Sequence, residues 1–134
     1  MRHPIPIEFD VFGESLDART RLITVCGEIH VSTAPRLSER LDEAIAGGMT
    51  AIVVDLSRVE FIDSTGLSVL LNGLRRVIRR QAAMALVCAN PTVLRLFHIT
   101  RLDATFDILP TRAAALAQVR AQAAGAAGSS DGAP

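Results

Sequence analysis

The sequence predicts a single α/β domain: a mixed, mostly parallel sheet with an antiparallel strand at its N-terminal edge and helices packed on it. Three observations lead there. Short β-branched runs alternate with longer stretches of helical period, in the order strand, strand, helix, strand, helix, strand, helix, strand, helix. Gly, Pro, Asn and Thr stand at the junctions between them. The chain has 134 residues, 49% hydrophobic and 21% charged, which suits one folded domain with a real core. Alternation of this kind lays helices over a mainly parallel sheet through right-handed crossovers.

Residues 1–7 contain Pro4 and Pro6 and are expected to be a flexible lead-in. The domain is expected over 8–123. Phe9 to Glu14 and Arg21 to Cys26 are strand-like, and Ser15 to Thr20 between them suits a hairpin loop, which makes the first pair antiparallel. Ser32 or Thr33 caps the first helix, Pro35 sits in its first turn, and Leu37, Leu41, Ala44 and Ile45 form its inner face. Gly47-Gly48 ends it.

Ala51 to Val54 is short, apolar and β-branched, the pattern of a buried strand. The next helix is expected over Gly66 to Arg80, with Leu67, Leu70, Leu71, Leu74, Val77 and Ile78 as its apolar stripe. Gly73 costs this helix about 1 kcal/mol relative to Ala, so it marks close packing or a groove. Arg75, Arg76, Arg79 and Arg80 crowd its negative C-terminal end. Ala83 to Cys88 is the next strand. Asn90 caps a helix that starts at Pro91 and turns Val93, Leu94 and Phe97 inward. Ala104 to Leu109 is a last strand, and Thr111 caps a last helix that buries Leu116 and Val119. From 124 to 134 the residues are Ala, Gly, Ser, Asp and Pro, read as a disordered tail.

Between the central strand and its helix stands Asp63-Ser64-Thr65-Gly66. One reading is a cap: Asp63 or Ser64 accepts a hydrogen bond from a free N–H of the first turn. A second, compatible reading is phosphorylation of a serine held at a helix N-terminus, where unpaired N–H groups and the dipole tolerate a phosphate and the neighbouring carboxylate repels it.

Asp55-Leu56-Ser57 followed by Val59 to Leu67 resembles the signature of the STAS family, in particular the bacterial anti-sigma factor antagonists. Gly27-Glu28-Ile29 resembles that family's second strand, and Pro91 to Phe97 its third helix. The resemblance runs from about Phe9 to Val119. It implies a phosphorylated serine at Ser64, with Asp63, Thr65, Gly66, Leu67 and His30 in or beside the partner contact. It implies two protein partners, an anti-sigma factor serine kinase and a serine phosphatase. Unmodified, such a protein binds the anti-sigma factor and frees a sigma factor; phosphorylation releases it. ATP belongs to the kinase, and no cofactor is expected. The alternative is a STAS module that binds another protein partner without a phosphate switch, as a stress-signalling scaffold or a transporter subunit does. A small ligand such as a nucleotide near Ser64 is a third class.

Two positions depart from the family pattern. His30 stands where Asp usually follows Gly-Glu-Ile, replacing a fixed charge with a group that titrates near neutrality, whose imidazolium favours a nearby phosphate. Arg101 stands where Gly often follows the third helix; Arg tolerates a left-handed turn poorly, so a differently shaped helix end is expected.

Other classes find little support. Formal net charge is zero, with 14 basic and 14 acidic residues, which does not favour direct nucleic-acid binding. All the basic residues are Arg, a bias that a GC-rich coding sequence explains most simply. There is no signal peptide and no membrane span, so the protein is expected in the cytoplasm. His3, His30 and His98 share no ligand spacing with Cys26 or Cys88, so no metal site is expected, and both cysteines are expected to be reduced, buried thiols. With no Walker loop and no nucleophile elbow at Ser64, no enzyme and no catalytic residue is expected.

Overall fold

A computed structural model describes residues 7–132, with side chains described as far as Gly125. The lead-in expected at 1–7 therefore lies outside the described residues except for Ile7. Five strands form one sheet in the order β1 (Asp10–Ser15), β2 (Thr20–Ile29), β3 (Ala51–Ile62), β4 (Ala83–Val87), β5 (Ile108–Leu109). β1 is antiparallel to β2, and every other pair is parallel. Helices α1 (Ala34–Ala46), α2 (Ser64–Arg79), α3 (Pro91–Ile99) and α4 (Arg112–Gly132) follow β2, β3, β4 and β5 in turn. The sheet, its one antiparallel pair and the four helices are those the sequence pattern predicts.

The strand order steps one way across the sheet. Right-handed crossovers therefore put α1, α2 and α3 on one face. Alternate residues of the central strands, among them Ile23, Val25, Ile52, Val54, Met84 and Leu86, point into that layer and form the main core. The intervening residues, Leu22, Val53, Ala85 and Val87, point to the other face, where Ala115 and Val119 of α4 cover them. Both faces are covered, so these strands read as continuous apolar runs rather than as alternation. Phe97 of α3 meets Phe106 edge-to-face, with ring centroids 5.7 Å apart, and closes the core at its β5 end.

The observed elements correct several expectations. β3 is far longer than Ala51 to Val54. Its pairing with β4 ends at Asp55↔Val87, while its pairing with β2 continues to Ile29↔Ile62. Polar Ser57, Arg58 and Glu60 hide this extension in the sequence, because beyond β4 the strand is covered on fewer sides and its apolar run breaks up. β5 is reduced to two residues; Leu102–Ala104 forms a 3-10 turn instead, and Phe106 reaches the core from a loop. Ile78 is 61% exposed, and Leu71 and Leu94 are only partly buried. Leu116 is also only partly buried, with Ala115 taking the inner position. Cys26 is half-buried; Cys88 is buried, and burial pushes its thiol pKa up. Neither is in a disulfide.

Two glycines act through close approach. A Cβ on Gly27, whose φ is +88°, would lie 2.9 Å from the Ile7 carbonyl oxygen and from Phe9 Cα, where the chain enters β1. A Cβ on Gly73 would meet Leu41 Cδ1 at 3.1 Å, so Gly73 marks close packing of α2 on α1 and not a groove. Arg76 and Arg80 serve the same contact. Arg76 pairs with Asp42, and an Nη of Arg80 donates to the Ile45 carbonyl at 2.6 Å.

α4 carries on past Gly125 through positions the sequence reading assigns to a tail. Among the described residues, no helix is long and apolar enough to cross a membrane.

Candidate functional site

Because β3 outruns β4, the β2–β3 pair projects past the rest of the sheet, and the Asp63–Gly66 turn stands at its end. The turn is fixed from three sides. The Asp63 N–H donates to the Ile29 carbonyl at 3.0 Å, joining the end of β3 to the end of β2. Asp63 is the cap of α2: its Oδ1 accepts the Gly66 N–H at 2.9 Å. Gly66 lies against both strand ends, where an added Cβ would sit 2.7 Å from Ile29 Cγ2 and from Ile62 Cγ1. Of the two candidate caps, then, Asp63 holds the helix and Ser64 begins it.

Ser64 is exposed, the first residue of α2, and its hydroxyl is not occupied in capping. A first helical turn leaves its N–H groups without helical acceptors. Asp63 takes that of Gly66, which leaves those of Ser64 and Thr65 for an incoming anion. Thr65 is partly exposed. Gly66 is buried and Leu67 is 8% exposed, so these two shape the turn from beneath.

His30 begins the loop that follows β2, beside the turn through the Ile29–Asp63 bond. The loop is tightly organised. Thr33 Oγ1 accepts the His30 N–H at 3.0 Å and donates to the Glu28 carbonyl at 2.8 Å. Thr33 therefore ties the loop to β2, and its side chain does not cap α1. His30 Nδ1 accepts the Ser32 N–H at 3.2 Å, so the neutral ring carries its proton on Nε2.

Two residues that sequence reasoning passed over are exposed close by in the chain, Val31 just after His30 and Phe61 two residues before Asp63. Val31 is 69% exposed and Phe61 is 42% exposed. The signal for Phe61 lay in the motif itself, but its exposure follows from the absence of β4 alongside, which no local pattern records. Beneath the projecting strands, Asn90 caps α3 through the Thr92 N–H at 2.9 Å and donates its amide to the Val59 carbonyl at 3.2 Å.

The other fragment of the motif, Asp55-Leu56-Ser57, does structural work on the opposite face. Asp55 is buried where β3 leaves β4. One oxygen accepts from the Ser57 N–H at 2.9 Å and from its hydroxyl, and the other pairs with Arg112 at the start of α4. Arg112 also reaches Thr24 Oγ1 at 3.3 Å. Burial pushes the Asp55 pKa up, but the hydrogen bonds from Ser57 and Arg112 outweigh it and hold the carboxyl below its ordinary value. The left-handed turn after α3 exists after all: Arg101 adopts φ 62°, ψ 17°, contrary to the expectation of a differently shaped end. The His98–Asp103 contact at 3.0 Å spans it. Among the described residues, no group of three His, Cys, Asp or Glu side chains could hold a metal ion.

Comparison with known proteins gives a consistent result. A model of the STAS domain matches residues 16–115. The anti-sigma-F factor antagonist RsfB of Mycobacterium tuberculosis is 35% identical over 99 residues, covering 74% of this chain and 80% of that protein. The anti-sigma-B factor antagonist of Listeria monocytogenes is 34% identical over 86 residues, covering 64% of this chain and 75% of that one. The crystal structure of an anti-sigma factor antagonist from Mycobacterium paratuberculosis superposes with a TM-score of 0.77 at 34% identity, over 84% of this chain and 95% of the other.

Proposed function

The chain belongs to the STAS domain family, and from that membership we propose that it is an anti-sigma factor antagonist switched by phosphorylation of Ser64. The names of its relatives support the first half of this reading. The placement of Ser64 carries the second half: an exposed hydroxyl on the first residue of α2, at the end of the projecting β2–β3 pair.

Unmodified Ser64 presents an uncharged hydroxyl on which, together with the exposed Val31 and Phe61, an anti-sigma factor kinase docks. Docking leaves the sigma factor free. Phosphorylation adds about two negative charges with their hydration to a surface that must become dry on binding, and the complex separates. The Asp63 carboxylate beside Ser64 leaves the added phosphate charge uncompensated within the turn. The helix survives, because Asp63 and not Ser64 is its cap and its N-terminus tolerates phosphate. A serine phosphatase restores the starting state. Thr65 and His30 border the contact, and Gly66 and Leu67 set its shape. The protein is then substrate and ligand, and the catalysis lies with its partners.

The test uses the protein isolated from its host under several growth conditions. The tryptic peptide Val59 to Arg75 carries Ser64, Thr65 and Ser68, which fragmentation mass spectrometry tells apart. Phosphate on Ser64 in some conditions only is the expected result. In parallel, Ser64→Ala should retain the serine-kinase partner in a pull-down and Ser64→Asp should lose it. Absence of phosphate in every condition, with equal retention by both variants, would replace the switch by an unswitched binding module.

A further inference from the structure

A cleft of about 430 Å³ opens at the other end of the sheet from Ser64, where β2 and β3 begin. Three arginines from three elements line it: Arg19 from the β1–β2 loop, Arg80 at the C-terminus of α2 and Arg120 from α4. A single carboxylate, Asp17, accompanies them. We propose that this cleft binds a small phosphate-bearing anion.

The arginines are held, and held differently. Arg120 is anchored by Asp17 at 3.2 Å, and Arg80 by the Ile45 carbonyl at 2.6 Å. Each anchor leaves other N–H groups of the guanidinium fork for a ligand. The hydrogen bond from the Arg19 backbone N–H, with further ones from Thr20 and Arg120, holds the Asp17 carboxyl below its ordinary pKa, so it stays ionised and keeps its grip on Arg120. The Arg19 side chain has no partner among the described residues, and its carbonyl accepts the N–H groups of both Thr50 and Ala51. That backbone clamp fixes the residue while leaving its guanidinium available. Three guanidinium groups against one carboxylate leave an excess of positive charge, in the planar, forked geometry that matches phosphate oxygens. Thr20 and Thr50 add polar groups to the rim, and Ala51, Ala123 and Ala124 give one small apolar wall. The volume lies in the range of small-molecule sites. Arg80 and Arg120 have structural anchors as well, but the Arg19 side chain has none among the described residues, and its place in the cleft has no structural use.

The experiment is an amide NMR titration of the full chain at low ionic strength, with inorganic pyrophosphate as the free anion, glucose 6-phosphate as the organic ester and citrate as a carboxylate of similar charge. Saturable shifts of the Arg19, Thr20, Thr50 and Gln81 amides with at least one phosphate compound, stronger than with citrate, are expected. Which of the two binds tighter identifies the source of the phosphate. Arg19→Gln, which leaves the backbone clamp in place, should weaken the Kd by about tenfold, and Arg19→Gln with Arg120→Gln by more. Shifts centred on Ser64 to Leu67, citrate binding as tight as phosphate, the absence of saturation, or unchanged affinity in the Arg19→Gln protein would each overturn the proposal. Apart from shifts centred on Ser64 to Leu67, these outcomes leave the switch at Ser64 untouched, and that switch is read separately by the phosphate on Ser64.

Discussion

Asp63 accepts the Gly66 N–H at 2.9 Å while donating its own N–H to the Ile29 carbonyl at 3.0 Å, so one residue both starts α2 and fastens it to the end of β2. Replacing the side chain separates the two tasks, since the second uses only backbone. Asp63→Ala should lower stability by about 1 kcal/mol, the usual value of a cap, and Asp63→Asn should restore most of it. Urea unfolding measures both. A silent Asp63→Ala would mean that the Ile29 bond and the packing of Gly66 hold the turn unaided.

Gly66 and Gly73 lie in one helix and should respond oppositely to alanine. Helix propensity favours Ala by about 1 kcal/mol at each. At Gly66 the new methyl meets two strand side chains at 2.7 Å, and overpacking of that kind costs about 1–3 kcal/mol. At Gly73 it meets only the end of Leu41, at 3.1 Å, which can give way. Gly66→Ala should therefore lower stability, by up to about 2 kcal/mol, and Gly73→Ala should raise it slightly, by less than about 1 kcal/mol, in the same measurement.

Asp55 should govern part of the acid stability. Its folded pKa lies below its ordinary value. As pH falls the unfolded chain takes up this proton first, so the contribution is complete above about pH 4 and is lost as pH drops through the folded value. Asp55→Asn removes the charged acceptor from Ser57 and Arg112. It should cost about 2 kcal/mol near neutral pH, with the gap to wild type narrowing in acid. An unchanged gap from neutral pH to pH 3 would contradict the assignment.

Arg101 sits in the left-handed region, an uncommon and costly place for a residue with a Cβ. Its side chain is exposed, with no hydrogen bond or ion pair among the described residues. Arg101→Gly should raise stability by about 0.5–1 kcal/mol, read as a higher urea midpoint at unchanged slope.

Much of this protein is determined by the sequence alone. Alternating strand and helix periods fix the α/β class, because burying each element's apolar side on the next has few solutions. Asn90-Pro91 announces α3, and Asp63 to Gly66 announces both a helix start and an exposed hydroxyl, because caps and Pro act within one turn of the chain. What only the tertiary structure decided depends on residues far apart in sequence. The length of β3 depends on β2 continuing beside it where β4 stops, so Ser57 to Glu60 look like loop when read locally. The burial of Asp55 becomes tolerable only when Arg112 arrives from α4. Arg19, Arg80 and Arg120 look like three unrelated surface charges until the hairpin, the end of α2 and α4 converge on one cleft. Periodicity and capping are local and therefore legible; register, pairing of distant charges and the shape of a cleft are set by which elements become neighbours, and that is settled only when the whole chain has packed.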